Sequence, residues 1–464
     1  MKVELDNLSF KRGEQYIFKH LNYGFHPGTF NILRGDSGSG KSTLLRVIAG
    51  FANLEFDGQV LIDGISQHSL PISQRASKVG MVFQNPNQQF TMRTLRREIT
   101  FALENLGLNY DKIQERLKQA TYLGKTERFL DQDLVSLSGG EKQRASITVL
   151  LAMDAPILLL DEPFASIDEN SRYELIKLLA ELRDLGKTII LCDHDLSGYE
   201  HMVDQVVTLS NNELSQENLS ILSNKPTIIL SKSKTNQTGL LQLEKFSYSQ
   251  GKRTLLSPTD YTFNKGITTI TGDNGVGKST LLSAIVQQQK YQGNMFLLGT
   301  KMKKRKSLYQ EVTLAVQDAT HQFVQLTPKE ELAFNIQLNE EQQKKQMAVL
   351  DELGLIDKLE GSLFHLSEGQ KKMIQLTTML TLERKLLLLD EPFTGLDEKA
   401  CRIFMDWMLE KSKEQSFIIV SHRLAPLSGH SDYHVSLKNK QLNFVGETSQ
   451  REGEKREYSQ NQYA

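Results

Sequence analysis

Apolar positions in this chain follow two rhythms that alternate from end to end. Continuous short runs, residues 29–33 (TFNIL), 155–160 (APILLL) and 188–192 (TIILC), read as strands buried on both faces of a parallel sheet. Residues 267–271 (ITTIT), 385–389 (KLLLL) and 417–420 (FIIV) repeat that pattern in the second half. Between such runs the spacing shifts to the helical period, as in residues 95–108 (LRREITFALENLGL), which predict an amphipathic helix. A second helix is expected after residue 326, with Thr327, Pro328 and Glu330 as its start signals. Strands alternating with helices imply a layered α/β domain, here formed twice.

The doubling is an internal repeat. GDSGSGKSTLL from Gly35 answers GDNGVGKSTLL from Gly272, and LSGGEKQR from Leu137 answers LSEGQKKM from Leu366. ILLLDEPFASID answers LLLLDEPFTGLD, and His194 in LCDHD answers His422 in VSHR. Lys41 and Lys278 are 237 positions apart and Asp161 and Asp390 are 229 apart, so the halves are collinear. The expected organisation is a first domain over 1–222, a linker over 223–238, a second domain over 239–446 and a disordered polar tail over 447–464. Polar composition begins near Ser215, and the segment KPTIILS within the linker reads either as a short strand or as a packed clip.

At 464 residues the chain suits two domains, with 39% hydrophobic and 24% charged residues. A net charge of −1 offers no basic face for nucleic acid, and the basic run from Lys301 to Lys306 reads as a solvated loop. Cys192 and Cys401 stand alone in separate halves, which fits reduced, packed thiols rather than a disulfide or a metal cluster. The opening MKVELDNLSF lacks a secretory pattern, and no stretch nears the roughly 18 apolar residues of a membrane span, so a cytoplasmic protein is expected.

G-x-x-x-x-G-K-S is a P-loop, whose glycines let successive N–H groups turn toward phosphates at a helix N-terminus. The candidate nucleotide-binding residues are Gly35, Asp36, Ser37, Gly38, Ser39, Gly40, Lys41, Ser42 and Thr43. Their counterparts are Gly272, Asp273, Asn274, Gly275, Val276, Gly277, Lys278, Ser279 and Thr280. Lys41 and Lys278 are placed for the β- and γ-phosphates, and Ser42 and Ser279 for Mg²⁺. Asp161 and Asp390 end buried strands and join the metal set. Glu162 and Glu391 follow them, placed to polarise an attacking water. His194 and His422 fit γ-phosphate sensors.

With P-loop, LSGGE, DEP and histidine in this order, the chain resembles the ATP-binding-cassette superfamily over nearly its full length. The resemblance implies an α/β fold class with two P-loop NTPase domains, each a mixed sheet core with helices and a helical subdomain. It implies ATP and Mg²⁺ as cofactors, ATP hydrolysis, and intramolecular head-to-tail pairing of the cassettes. One site is then expected to combine Lys278, Gln317, Glu391 and His422 with Ser138, Gly139 and Gly140. The other combines Lys41, Gln84, Glu162 and His194 with Ser367, Glu368 and Gly369, where Gln84 and Gln317 also join the metal set.

Glu368 departs from the family pattern, which has glycine there. A carboxylate about 6 Å from a phosphate costs roughly 3 kcal/mol at an effective dielectric of 20, so it is expected to turn toward a neighbouring lysine or arginine. The site it completes is expected to turn over more slowly. Tyr248 is the expected adenine-stacking ring of the second half, with Arg12 at the matching place of the first and Tyr16 nearby.

QNP-x-x-Q-F at Gln84, followed by FALENLG, resembles the energy-coupling-factor transporters. That resemblance implies an importer of vitamins or transition-metal ions, with a membrane coupling protein and a small substrate-binding membrane protein as partners at the cytoplasmic face. The competing class is a soluble tandem cassette acting on ribosomes or nucleic acid. The short, weakly basic linker speaks against it, and the sequence does not name the transported substrate.

Overall fold

The computed structural model describes residues 1–445 apart from 14, 37, 52–54, 85–88, 138, 165, 166, 168, 194, 223–227, 231–237, 252 and 335–337. Ser37, Ser138, His194 and the expected polar tail therefore lie outside the described residues. The chain divides into two compact units at Lys225 and Pro226, inside the expected linker.

The first unit opens with β1 (Val3–Arg12), β2 (Gln15–Phe25), β3 (Phe30–Arg34), α1 (Lys41–Ala49), β4 (Asp57–Ile62) and β5 (Ile65–Ser66). It continues through α2 (Ile72–Lys78), β6 (Val79–Val82), α3 (Leu95–Asn105), α4 (Tyr110–Gly124), α5 (Gly139–Met153) and β7 (Ile157–Asp161). α6 (Glu169–Asp184), β8 (Thr188–Cys192), β9 (Gln205–Ser210) and β10 (Glu213–Glu217) complete it. One sheet is antiparallel, in the order β2-β1-β4-β5. The other has the order β10-β9-β3-β8-β7-β6, parallel except for the β10–β9 pair. β7 and β8 are buried at every position, which is why their sequences run apolar without alternation.

Helices α3, α4 and α5 bury Leu95, Ile99, Leu103, Ile113, Leu117 and Ala145 in a core of their own, the expected helical subdomain. Thr94 caps α3 by accepting from the Arg97 N–H, and Asn109 caps α4 in the same way from Lys112.

The second unit repeats this plan. β11 (Gly239–Gln250), β12 (Arg253–Asn264), β13 (Ile267–Thr271), α7 (Lys278–Ile285), β14 (Gln292–Leu297), β15 (Thr300–Lys301), α8 (Leu308–Glu311) and β16 (Val312–Ala315) come first. α9 (Pro328–Ala333), α10 (Glu340–Glu352), α11 (Glu368–Thr381), β17 (Leu386–Asp390), α12 (Glu398–Lys411), β18 (Ser416–Val420), β19 (Tyr433–Lys438) and β20 (Gln441–Phe444) follow. Its sheets run β12-β11-β14-β15 and β16-β17-β18-β13-β19-β20. α9 starts on the expected residues: Thr327 caps it, Pro328 follows, and Glu330 closes a reciprocal capping box.

Two expectations about loops are refined and a third holds. The polar stretch from Ser215 begins as sheet, because β10 pairs with β9, and Leu222 is buried in the first unit's core. Of KPTIILS only residues 228–230 lie among the described residues, and these form a clip rather than a strand. Leu230 is buried in the second unit's core, the Ile229 N–H donates to Ser428 Oγ at 3.0 Å, and its carbonyl accepts from Gly429 at 2.8 Å. Residues 228–230 thus belong to the second unit and not to a free linker. The basic side chains from Lys301 to Lys306 are all exposed, as a solvated loop requires.

Candidate active site

In each unit the central strand of the larger sheet runs into a glycine loop and then a helix. Gly35 and Gly272 leave their strands at φ 150° and 151°, and a Cβ on either would lie 2.5 Å from a carbonyl of the neighbouring strand. Gly40 and Gly277, at φ 100° and 108°, stand immediately before α1 and α7. Such φ values favour glycine, which is why the spacing was readable in sequence. Lys41 Nζ donates to the Gly35 and Asp36 carbonyls at 2.6 and 2.9 Å, and Lys278 Nζ to Gly272 and Asp273 at 2.5 and 3.0 Å. Each ammonium is held over a loop of main-chain groups, the arrangement that a phosphate chain needs.

β7 and β17 deliver the paired acids. Ser42 Oγ donates to Asp161 Oδ1 at 2.9 Å, while Asp161 Oδ2 and Asp390 Oδ1 are buried without a hydrogen-bond partner. Burial, and then the Glu162 charge, push the Asp161 carboxyl up to about 6, against the pull of Ser42, Arg46 and Lys41. Asp390 is likewise raised by burial, opposed by Ser279, Lys372 and Lys278. Buried carboxylate oxygens with nothing to accept from, beside a P-loop serine, suit a hard divalent cation. Mg²⁺ would therefore fit, and Ser42 with Asp161 in one unit and Ser279 with Asp390 in the other would hold it.

Glu162 and Glu391 share a backbone feature that sequence does not announce. Both are non-glycine residues in the left-handed region, at φ 46° and 49°, a conformation that costs about 1–2 kcal/mol. Each N–H donates to the end of the next strand, at Cys192 and Val420. The turn re-aims the carboxylate as the strand ends.

Gln84 Nε2 reaches Glu162 Oε2 at 2.8 Å. Glu391 instead accepts from the His422 N–H at 3.0 Å, and burial raises its carboxyl well above the usual range. His422 Nε2 lies 3.1 Å from Lys278 Nζ. An ammonium can only donate, so Nε2 accepts and the ring is neutral. The 3.7 Å approach of the same nitrogen to Glu391 is then not an ion pair.

The second signature motif caps its helix. Ser367 Oγ accepts from the Gln370 N–H at 3.3 Å, and Gln370 Oε1 accepts from the Ser367 N–H at 3.1 Å. Gly369 is buried in the first turn of α11. Glu368 pairs with Lys371 at 3.0 Å, as expected of a carboxylate held by a neighbouring base. Gly139 and Gly140 form the start of α5.

The adenine expectation is corrected. Tyr248 is 2% exposed, its hydroxyl donates to the Gly277 carbonyl at 2.9 Å, and its ring packs against Phe246. With no open face it supports the P-loop from within rather than stacking on a base. Its counterpart is Phe10 and not Arg12. Phe10 pairs with Phe18 as Tyr248 pairs with Leu256, and Gly13 and Gly251 follow at equal distance. Tyr16 lies on the surface beneath Lys11 and Lys19.

Sequence reasoning missed two buried acids. Glu98 Oε2 accepts from the Thr91 and Met92 N–H groups at 2.9 and 2.7 Å, and Glu331 Oε2 from Val324 and Gln325 at 2.9 and 2.8 Å. They fix the main chain at residues 91–92 and 324–325. Their signal was an acid recurring on the inward face of two equivalent helices.

Comparison with known proteins agrees with this geometry. The family model described as ABC transporter matches residues 18–165 and 256–394. The Bacillus subtilis (strain 168) protein named "Putative HMP/thiamine import ATP-binding protein YkoD" is 26% identical, over 97% of this chain and 92% of that one. A "Putative ABC transporter ATP-binding protein" of Sulfurisphaera tokodaii is 28% identical, over 90% of this chain and 89% of its own length. Among solved structures, "Model of ribosome-bound archaeal Pelota and ABCE1" covers 93% of this chain and 76% of that one, at TM-score 0.70 and 17% identity, a likeness of fold. With its two family matches and two matching sites, the chain belongs to the ABC transporter family, as an ATPase with two cassettes in tandem.

Proposed function

We propose that this chain is the ATP-hydrolysing subunit that energises a membrane importer of the energy-coupling-factor type, for a vitamin or a transition-metal ion. The observation that carries the reading is the end-to-end match to a Bacillus subtilis protein whose name describes import of HMP or thiamine. The complete P-loop, acid pair and glutamine in each half support it, because they suit two working sites.

In this reading Lys41 and Lys278 neutralise the phosphate chain, and the loop N–H groups orient it. Ser42 with Asp161, and Ser279 with Asp390, hold Mg²⁺, and Gln84 and Gln317 complete its set. The cation offsets phosphate charge when bound. Glu162 and Glu391 accept a proton from the attacking water, and His422, beside Lys278, senses the γ-phosphate. Gly139, Gly140, Ser367 and Gly369, with Ser138, add N–H and hydroxyl donors from the paired cassette, and His194 repeats the part of His422. Membrane attachment comes through partners, since no described helix is long and apolar enough to cross a bilayer.

Affinity purification of the tagged chain from detergent-solubilised membranes tests this. Co-purification of a multi-span coupling protein and a compact membrane binding protein is expected. Ribosomal subunits or nucleic acid without a membrane protein would favour the soluble tandem-cassette class instead.

A further inference from the structure

Helix α11 grips the Gln317 loop through a buried lysine that the first unit lacks. Lys372 is 5% exposed, and its Nζ donates to the Gln317 carbonyl at 2.7 Å and to Gln375 Oε1 at 3.1 Å, with the Val316 carbonyl at 3.4 Å. Gln375 Nε2 adds bonds to the Val316 carbonyl at 2.9 Å and to Gln322 Oε1 at 2.7 Å. An ammonium at this depth needs both matched protons and nearby negative charge. Burial lowers the Lys372 ammonium to about 8, and Asp390, Glu391, Asp318 and Glu368, in that order, oppose the shift.

The first unit places a different side chain at each of these positions. Counted from the signature motifs, Lys372 corresponds to Gln143 and Gln375 to Ser146. Gln143 is also buried, but its Nε2 has no partner, and Ser146 Oγ bonds back to the Lys142 carbonyl in its own helix at 3.2 Å. Among the described residues, α5 therefore makes none of these bonds to Phe83 or Gln84. Lys372 thus ties the Gln317 loop to α11, while among the described residues Gln143 and Ser146 make no matching bond to Phe83 or Gln84.

We propose that Lys372 is a positioning residue of the second nucleotide site, holding the Gln317 main chain against α11 and placing a positive charge near Asp390 and Glu391. The tether makes loop and helix move as one body. The charge offsets the two acids, so that a polyanionic nucleotide meets less repulsion at the second P-loop than its carboxylates alone would impose. Gln143 gives neither effect in the first unit.

This rests on reading the second P-loop as an ATP site, and the test separates the two ideas. Full-length chain carrying Lys41→Ala confines tight binding to that P-loop. ATP binding with Mg²⁺ is measured by calorimetry, alongside amide exchange over residues 316–325. Lys372→Gln is expected to weaken ATP binding roughly tenfold and to speed exchange. Lys372→Arg restores the affinity because it keeps the charge, and Gln375→Ser speeds exchange without changing affinity. Unchanged affinity and exchange in Lys372→Gln overturn the proposal. Equal losses in the Gln and Arg variants with a lowered melting point also overturn it, since they leave Lys372 a packing role only. If Lys372→Gln does not fold, Gln375→Ser decides, and unaltered exchange there overturns the tether. A Lys41→Ala parent that binds no ATP refutes the site itself, whereas a binding parent with an equally binding Lys372→Gln variant refutes the lysine's part alone.

Discussion

Gln84 Nε2 donates to Glu162 Oε2 at 2.8 Å, while among the described residues the equivalent Gln317 and Glu391 make no such bond. Glu391 is held by the His422 N–H, and the Gln317 main chain by Lys372. Two cassettes with the same motifs thus support their acids differently, which fits the proposal that the two sites turn over at unequal rates.

Separate mutation of the two acids reads that inequality. Glu391→Gln is expected to remove most of the ATPase activity, its own site falling about a hundredfold or more. Glu162→Gln is expected to remove the smaller share, because in the proposed head-to-tail pairing Glu368 completes the site that Glu162 serves. Steady-state phosphate release measures both, and equal losses would argue against the assignment. Glu368→Gly in the Glu391→Gln background is expected to raise the residual rate.

Proton uptake at Asp161 gives a pH signature. Its carboxyl is raised from 3.8 to about 6 by burial. The stability this gives the nucleotide-free fold is fully present below the unfolded value and is lost as pH rises through about 6. A cation on the carboxylate reverses the shift, so MgATP binding at pH near 6 releases protons. Calorimetry in two buffers of different ionisation enthalpy detects the release. Asp161→Asn is expected to reduce it, and an undiminished release would point to another group.

Stability of the first unit depends on one buried cation. Arg172 on α6 bonds to Asp193 Oδ2 at 3.0 Å and to the Asp195 and Ser197 carbonyls, and Tyr199 shares the same Asp193 oxygen at 2.7 Å. Arg172→Ala takes the ion partner from the partly buried Asp193 carboxylate and is expected to cost about 3 kcal/mol, measured by denaturant titration. A loss under half of that contradicts the ion pair's role.

Tyr248→Phe distinguishes P-loop support from base stacking. Only the bond to the Gly277 carbonyl is removed, so stability is expected to drop by about 1 kcal/mol while ATP affinity is kept. Tyr248→Ala with unchanged stability and much weaker binding would restore the stacking role.

What could be read from sequence was contiguous. The P-loops, the acids ending β7 and β17, and the Thr327 cap are local patterns whose chemistry is complete within a few residues. Tyr248 was misread because β11 carries register shifts on both sides of it, so that Phe246, Ser247 and Tyr248 are all buried and strict alternation fails. Lys372 was invisible for another reason. A lysine in KKM after a signature motif reads as surface charge, and only the fold brings it under the Gln317 loop. The clip at residues 228–230 was undecidable because its partner, Ser428, lies some 200 positions away.

The central claim is that ATP hydrolysis here drives a membrane partner. The most direct measurement is the ATPase rate of the purified chain alone and after assembly with its co-purified membrane proteins in lipid vesicles. The account predicts a clear rise on assembly that Glu391→Gln abolishes. A rate indifferent to the membrane proteins but stimulated by ribosomal particles would contradict it.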